Sequence, residues 1–200
     1  MNYDKEMDKL ISSFTHKPTL LLHACCAPCS SSVIERLAPH FDITILYYNP
    51  NIEPYEEYLK RKNELNEFLK VFNNEINVID ADYDNDEYHK LVSGLEDTSE
   101  RGPRCYLCYE KRLTYTYKKA KNENFEYFGT TLTLSPYKVS SWINEIGLKL
   151  EDENTKFLIS DFKKQNGYKR SIELSKIYNL YRQDYCGCVY SRKKEQNFLQ

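Results

Sequence analysis

Thr19-Leu20-Leu21-Leu22-His23-Ala24 is a nearly continuous apolar run, and it gives way at once to Cys25-Cys26-Ala27-Pro28-Cys29. An apolar run without polar alternation reads as a strand buried on both faces. Strands of that kind belong to parallel sheets covered by helices. In such sheets ligands gather beyond the carboxyl ends of the strands, where this cysteine loop falls. Nucleotide-binding proteins of this architecture keep a glycine-rich phosphate loop in the same place. Here thiols hold it.

The rest of the chain fits that frame. Ser30-Ser31-Ser32-Val33-Ile34-Glu35 predicts a helix start, with Ser32 and Glu35 spaced as a capping box. Ile43 to Tyr48 is β-branched and aromatic, a second strand, ended by Asn49-Pro50-Asn51. A charged helix is predicted over 54–71, with Leu59, Leu65, Phe68 and Leu69 as its apolar side. A strand over 76–79 and a short helix over 86–95 follow. After a polar loop, Pro103 is well placed as the first residue of another helix. Phe125 to Thr131 predicts a fourth strand, and helices are expected over 136–146 and 172–181. Strands alternating with helices give an α/β fold with a doubly wound parallel sheet, Rossmann-like, and a helical C-terminal part. The expected organisation is a polar lead over 1–17, one α/β catalytic domain over 18–193 and a tail over 194–200.

Hydrophobic residues make up 40% of the 200 and charged residues 29%, a globular balance. The formal net charge of −2 excludes a global positive field, so any nucleic-acid contact has to come from local patches. No stretch approaches the roughly 18 apolar residues of a membrane span. The polar start from Met1 to Lys9 has no signal-peptide core. Both predict a cytoplasmic protein without a membrane partner. The cytosol keeps thiols reduced, which turns cysteines toward metal binding or catalysis. Seven cysteines cannot all pair internally.

They fall into three groups, Cys25-Cys26-x-x-Cys29, Cys105-x-x-Cys108 and Cys186-Gly187-Cys188. Thiolates suit zinc, Cu(I) and iron–sulfur clusters. Cys105 and Cys108, at i and i+3 of a helix start, project from one face, where the dipole favours thiolate. A structural zinc site usually draws on two Cys-x-x-Cys knuckles; an adjacent pair at a sheet's ligand edge, with thiols beyond four, favours a cluster. A thioredoxin-like reading of Cys26-Ala27-Pro28-Cys29 leaves Cys25, Cys105 and Cys108 without a role. A Cys186–Cys188 disulfide would close a very small, easily reduced ring. Two more metal ligands, or plain buried thiols, are the alternative.

With these motifs the chain resembles the QueH-type epoxyqueuosine reductases, the cobalamin-independent enzymes of queuosine biosynthesis. The matching pieces are His23-x-Cys25-Cys26-x-Pro28-Cys29, Tyr48-Asn49-Pro50-Asn51-Ile52 with Tyr58 and Arg61, and Arg104-Cys105-x-x-Cys108-Tyr109. Then come Thr130-Thr131-Leu132, Ser135-Pro136-Tyr137-Lys138, Asp161-Phe162-Lys163 and Tyr181-Arg182-Gln183-x-Tyr185-Cys186-Gly187-Cys188. Ala27 stands where glycine is usual, and Pro103 breaks a common glycine pair. The resemblance implies a nucleotide alpha-hydrolase-like fold and a [4Fe-4S] cluster on Cys25, Cys26, Cys105 and Cys108. It also implies a redox-active Cys186–Cys188 disulfide, and an additional iron with Cys29 and Asp161 as candidate ligands. The implied reaction removes the epoxide oxygen of epoxyqueuosine at the wobble position of tRNA, giving queuosine and water. Two electrons come from an unidentified donor. His23, Tyr48 and Asp161 are the candidate acids for the leaving oxygen.

An anticodon loop is recognised by splaying bases out and stacking them on aromatics. Basic groups occur at Lys60-Arg61-Lys62, Lys118-Lys119-x-Lys121, Lys163-Lys164 with Lys169-Arg170, and Arg192-Lys193-Lys194. The stretch over 163–170, with Lys163, Tyr168, Lys169 and Arg170, is the expected contact because it follows Asp161 on a loop. Ser30 to Ser32 offer either a phosphate site or simple capping. The competing classes are a nucleotide-dependent tRNA thiolase, which the absence of a Ser-Gly-Gly-x-Asp-Ser loop disfavours, and a non-catalytic zinc module.

Overall fold

Leu20, Leu21 and Leu22 are all fully buried because the strand that carries them, β1 (Thr19–His23), lies at the centre of a parallel sheet. The structure is a computed structural model that describes residues 2–73 and 75–192. Lys193, Lys194 and the tail over 194–200 lie outside the described residues. On one side of β1 stand β2 (Asp42–Tyr47) and β3 (Asn77–Asp80), and on the other β4 (Tyr127–Thr130) and β5 (Lys156–Phe157), in the order β3-β2-β1-β4-β5. Leu21 pairs with Thr44 of β2 and with Phe128 of β4.

Successive side chains of a strand point to opposite faces, and the core divides accordingly. Leu20 and Leu22 pack with Ile43, Ile45 and Tyr47 on one face. Leu21 packs with Leu46, Phe128 and Phe157 on the other. The first face is covered by α1 (Tyr3–Ser12), α2 (Ala27–Leu37) and α3 (Tyr55–Phe72), through Met7, Ile34 and Leu65 among others. The second is covered by α5 (Pro103–Asn122) and α6 (Ser140–Leu150), through Leu113 and Ile143. A short α4 (Asn85–Val92) leads toward α5, and α7 (Gly167–Ile177) packs on α2. The chain winds outward from β1 to β3, then returns to start β4 on the far side of β1. The gap where the winding reverses, between the ends of β1 and β4, is the ligand position of such sheets. The cysteine loop opens into it.

Several local expectations need correction, among them the last two helices, which run over Ser140–Leu150 and Gly167–Ile177 rather than 136–146 and 172–181. The second helix starts at Ala27, not at Ser30, with Cys26 as its N-cap and proline in the first turn. The Ser32–Glu35 capping box does not form: Ser32 Oγ is buried without a partner, and Glu35 is taken by Arg170 of α7. Ser30 and Ser31 turn their hydroxyls back to the carbonyls of Cys26 and Pro28 at 2.8 and 3.0 Å, a habit of serine inside helices. All three serines are buried, which closes the phosphate alternative. The polar lead contains α1, whose Met7 is fully buried and whose Asp4 and Asp8 hold Arg36 of α2 at 2.8 and 2.7 Å.

Candidate active site

β1 ends at His23, and the next residues are fixed by backbone needs. Ala24 N–H continues the ladder to the Leu46 carbonyl at 3.0 Å, and the Ala24 carbonyl accepts from Asn49 Nδ2 at 2.9 Å. Cys25 and Cys26 therefore leave the sheet in one orientation. Their sulfurs are 3.7 Å apart, and with Cys29 from the first turn of α2 they form a triad within 4.8 Å. Three thiols this close share charge unequally. Cys25 is held well below the usual thiol value because Cys26 and Cys29 both hydrogen-bond to it. The bond to Cys25 pushes Cys26 up to about 12, and Cys29 is raised for the same reason. Gln183 Nε2 also donates to Cys26 Sγ at 3.0 Å.

Cys105 sits in the first turn of α5, and Cys108, the sixth residue of the helix, sits one turn further on rather than in the first turn as expected. They do not join the triad; Cys108 packs instead with Cys188 of the carboxyl-terminal turn. The helix dipole does not decide their charge. Burial raises both, Cys108 to about 12, because desolvating a thiolate outweighs the favourable helix end. Cys108 packs with Cys188, Tyr88 and Val92. Cys186 and Cys188 are free thiols on a tightly held turn. Arg61 Nη1 donates to the Cys186 carbonyl at 3.3 Å, Glu53 N–H to the Gly187 carbonyl at 2.9 Å, and Tyr185 Oη to the Glu53 carbonyl at 2.6 Å. Gly187 has φ +121°, and a Cβ there would stand 2.9 Å from Ile52 Cγ1. Only glycine fits.

Two cations bind these groups into one site. Arg112, four residues after Cys108 on α5, is buried and donates to Asn49 Oδ1 at 2.6 Å and to Cys108 Sγ at 4.0 Å. Burial opposes its charge, and Cys108, Cys25 and Cys186 favour it wherever they are thiolates. These three belong to three separate sequence motifs. Lys138, part-buried, donates to Cys186 Sγ at 3.3 Å, and Cys186 and Cys25 hold its ammonium charged against burial. Among the described residues neither cation has a carboxylate partner. A buried cation without a counter-anion is costly, and here the available negative charge is sulfur. A cleft of about 380 Å³ opens beside them, walled by Cys25, Cys29, Lys138, Tyr168, Gln183 and Cys186.

The expected acids stand elsewhere. His23 is fully buried; Nδ1 meets Thr130 Oγ1 at 2.9 Å and Nε2 meets the Tyr48 carbonyl at 3.0 Å. Burial, then the Arg112 charge, lowers it to about 3, so it is neutral and sealed away. The Tyr48 hydroxyl donates to Asp84 Oδ2 at 2.9 Å in a separate groove, with its ring stacked on Tyr115 at 3.9 Å. Burial, then the bond to Asp84, raises its hydroxyl. Asp161 is held by Lys163 at 2.6 Å and by Ser140 at 3.3 Å, and does not join the sulfur triad. Of the expected RNA contacts, Tyr168 lines the cleft. Lys163 is occupied by Asp161, Ser140 and the Thr133 carbonyl, while Arg170 is paired with Glu35 and Glu173. Lys169 is exposed on α7. Sequence reasoning gave no role to Arg112, Lys138 or Gln183. Arg112 was detectable from its i+4 spacing to Cys108, and Lys138 lay in a quoted motif.

The donor set fits a soft-metal group: all-sulfur, convergent and backed by cations. A profile described as Epoxyqueuosine reductase QueH matches residues 20–194. The chain is 42% identical over 203 residues to the Epoxyqueuosine reductase QueH of Streptococcus pyogenes serotype M1, covering 98% of this chain and 80% of that protein. With that of Thermotoga maritima it shares 35% identity over 177 residues, covering 86% of this chain and 90% of the other. Among solved structures it is similar to the U34-tRNA thiolase NcsA from Methanococcus maripaludis with its [4Fe-4S] cluster. That likeness has a TM-score of 0.55 at 12% identity and covers 94% of this chain and 68% of that one, which shows a shared α/β fold. No described helix is long and apolar enough to cross a membrane. With its thiol motifs gathered at the sheet's ligand edge, the chain belongs to the epoxyqueuosine reductase QueH family.

Proposed function

We propose that this chain is an iron–sulfur oxidoreductase that reduces the epoxide of epoxyqueuosine at the wobble position of tRNA. The products are queuosine and water, and the reaction takes up two electrons and two protons as the last step of queuosine formation in the cytoplasm. The observation that carries the reading is the gathering of thiols from three distant motifs: Cys25, Cys29 and Cys186 wall one cleft, and Cys188 packs against Cys108. Cys25 and Cys26 from the loop after β1 and Cys105 and Cys108 from the start of α5 would hold the [4Fe-4S] cluster. Cys29 is left for an additional iron; Asp161, engaged by Lys163, is not carried into that set. When bound, the cluster supplies single electrons at low potential.

The chain's own residues do the rest. Arg112 and Lys138 balance the negative charge gathered on sulfur. Tyr168 and the exposed Tyr137 offer rings at the cleft wall for a splayed base. With His23 sealed and Tyr48 turned away, Lys138 Nζ is the cation that faces the cleft; held charged by Cys186 and Cys25, it stabilises the departing oxygen by a charged hydrogen bond. Cys186 and Cys188 cycle between dithiol and disulfide.

The test is direct: anaerobic protein, a chemical reductant and tRNA carrying epoxyqueuosine, followed by nucleoside mass spectrometry. Conversion to queuosine is expected; intact epoxyqueuosine with cluster-loaded protein would defeat the reading. One observation favours a second reading. Zinc–sulfur bonds of about 2.3 Å place sulfurs roughly 3.8 Å apart, close to the Cys25–Cys26 spacing of 3.7 Å, so a single zinc on the triad is the alternative.

A further inference from the structure

The two thiols of the carboxyl-terminal turn live in different surroundings. Cys186 is part-exposed, walls the cleft and receives the Lys138 ammonium at 3.3 Å. Cys188 is 5% exposed and lies behind the cleft wall, packed with Cys108, Tyr88 and Val92. The turn cannot exchange them. Its carbonyls at Cys186 and Gly187 are held by Arg61 and by the Glu53 amide, and Gly187 is pressed against Ile52. Cys186 Sγ opens to the cleft, and Cys188 packs away from it against Cys108 of α5.

We propose that Cys186 is the sulfur through which an external dithiol returns electrons to the Cys186–Cys188 pair, entering by the cleft that also takes the substrate. This rests on the redox-pair reading above. In a thiol–disulfide exchange the sulfur attacked is set by access as well as by the leaving group. Access here selects Cys186. One thiolate of the donor attacks Cys186 Sγ; the Cys186–Cys188 bond breaks, and Cys188 leaves as thiolate beside Cys108. The donor's second thiolate then attacks the donor sulfur of the mixed disulfide, closing the donor's own disulfide. Cys186 leaves as thiolate under the Lys138 ammonium. Two electrons pass from donor to pair, and the two donor protons balance the two restored thiols.

The shared cleft has a kinetic consequence. Reductant and tRNA cannot occupy it together, so they alternate, and bound tRNA shields Cys186.

The test uses protein purified without oxygen, as wild type and as Cys186→Ser and Cys188→Ser. Each is exposed to glutathione disulfide, and adducts are located by peptide mass spectrometry. Glutathione is expected on Cys186 of Cys188→Ser at least roughly tenfold faster than on Cys188 of Cys186→Ser. Pulse labelling of reduced wild type with iodoacetamide should likewise mark Cys186 before Cys188, independently of how the variants fold. Saturating tRNA should slow that labelling. Equal or faster reaction at Cys188 overturns the assignment even if mild oxidation of wild type still yields the Cys186–Cys188 disulfide. Labelling of Cys186 that ignores tRNA overturns the shared cleft. Absence of the disulfide in oxidised wild type would instead bring down the redox-pair reading, and the assignment with it.

Discussion

Replacing Gly187 with alanine should cost more than replacing Gly94, and the difference can be worked out in advance. Both residues have positive φ, +121° and +82°. An L-residue in left-handed backbone costs about 1–2 kcal/mol, and Gly94→Ala should cost about that, because nothing lies within 4 Å of its added Cβ. At Gly187 the same Cβ meets Ile52 Cγ1 at 2.9 Å and Arg61 Nη1 at 3.1 Å. Overpacking of this kind adds about 1–3 kcal/mol, for a total of about 2–5 kcal/mol. The strain falls on the turn that aims Cys186 and Cys188. Hydrogen exchange at the Glu53 amide, whose acceptor is the Gly187 carbonyl, reads it locally. Protection there should drop by at least about tenfold, since 1.4 kcal/mol is a factor of ten, and urea unfolding should show the larger global loss in Gly187→Ala. If the two variants are equally stable and Glu53 protection is unchanged, the account of the turn is wrong.

His23 should remain neutral through the physiological range. Its folded-state value of about 3 lies below the unfolded 6.5, so its contribution to stability is complete above pH 6.5 and is lost as pH falls from 6.5 toward 3. An imidazole NMR titration with a midpoint near 6.5 in the folded protein would contradict the sealed site. Met7→Ala should destabilise the fold by about 2–5 kcal/mol, measured by urea unfolding, because Met7 is fully buried beneath the sheet's first face. A neutral result would show that α1 is dispensable. Lys138→Met should lower kcat about 100-fold or more with a smaller change in KM, and an unchanged kcat would show that Lys138 does not stabilise the departing oxygen.

The sequence made the central strand legible because Leu20, Leu21 and Leu22 leave no polar face, and burial on both sides is what such a run requires. Pro103 announced α5, since its missing N–H costs nothing at a helix start. The three thiol motifs were visible because cysteine is rare and its spacing is chemical. What was hidden depends on neighbours far along the chain. β5 has two residues and forms only because β4 offers it an edge. α1 presents Met7, Leu10 and Ile11 to the core at i, i+3 and i+4, a helical spacing present in the sequence but obscured by the charged residues between them. α2 starts on a cysteine cap with no side-chain bond, so the serines after it looked like the better start. His23 reads as reactive from its place beside the thiols, yet Thr130 and the Tyr48 carbonyl, from β4 and the end of β2, seal both ring nitrogens. Asp161 reads as a ligand until Lys163 is seen to hold it. Arg112 gains its meaning only when the turn at 186–188 folds back onto α5.

The account's central claim is an iron–sulfur site built from these thiols, and metal analysis tests it most directly. Iron, zinc and acid-labile sulfide are measured per chain in protein purified without oxygen, alongside Cys105→Ala and Cys108→Ala. The account predicts about four irons and four sulfides per chain, with a fifth iron where the additional site is filled. Cluster absorption should be lost in both variants. One zinc per chain without sulfide, persisting after anaerobic reconstitution with iron and sulfide, would contradict it and leave the Cys25–Cys26–Cys29 triad as a zinc site.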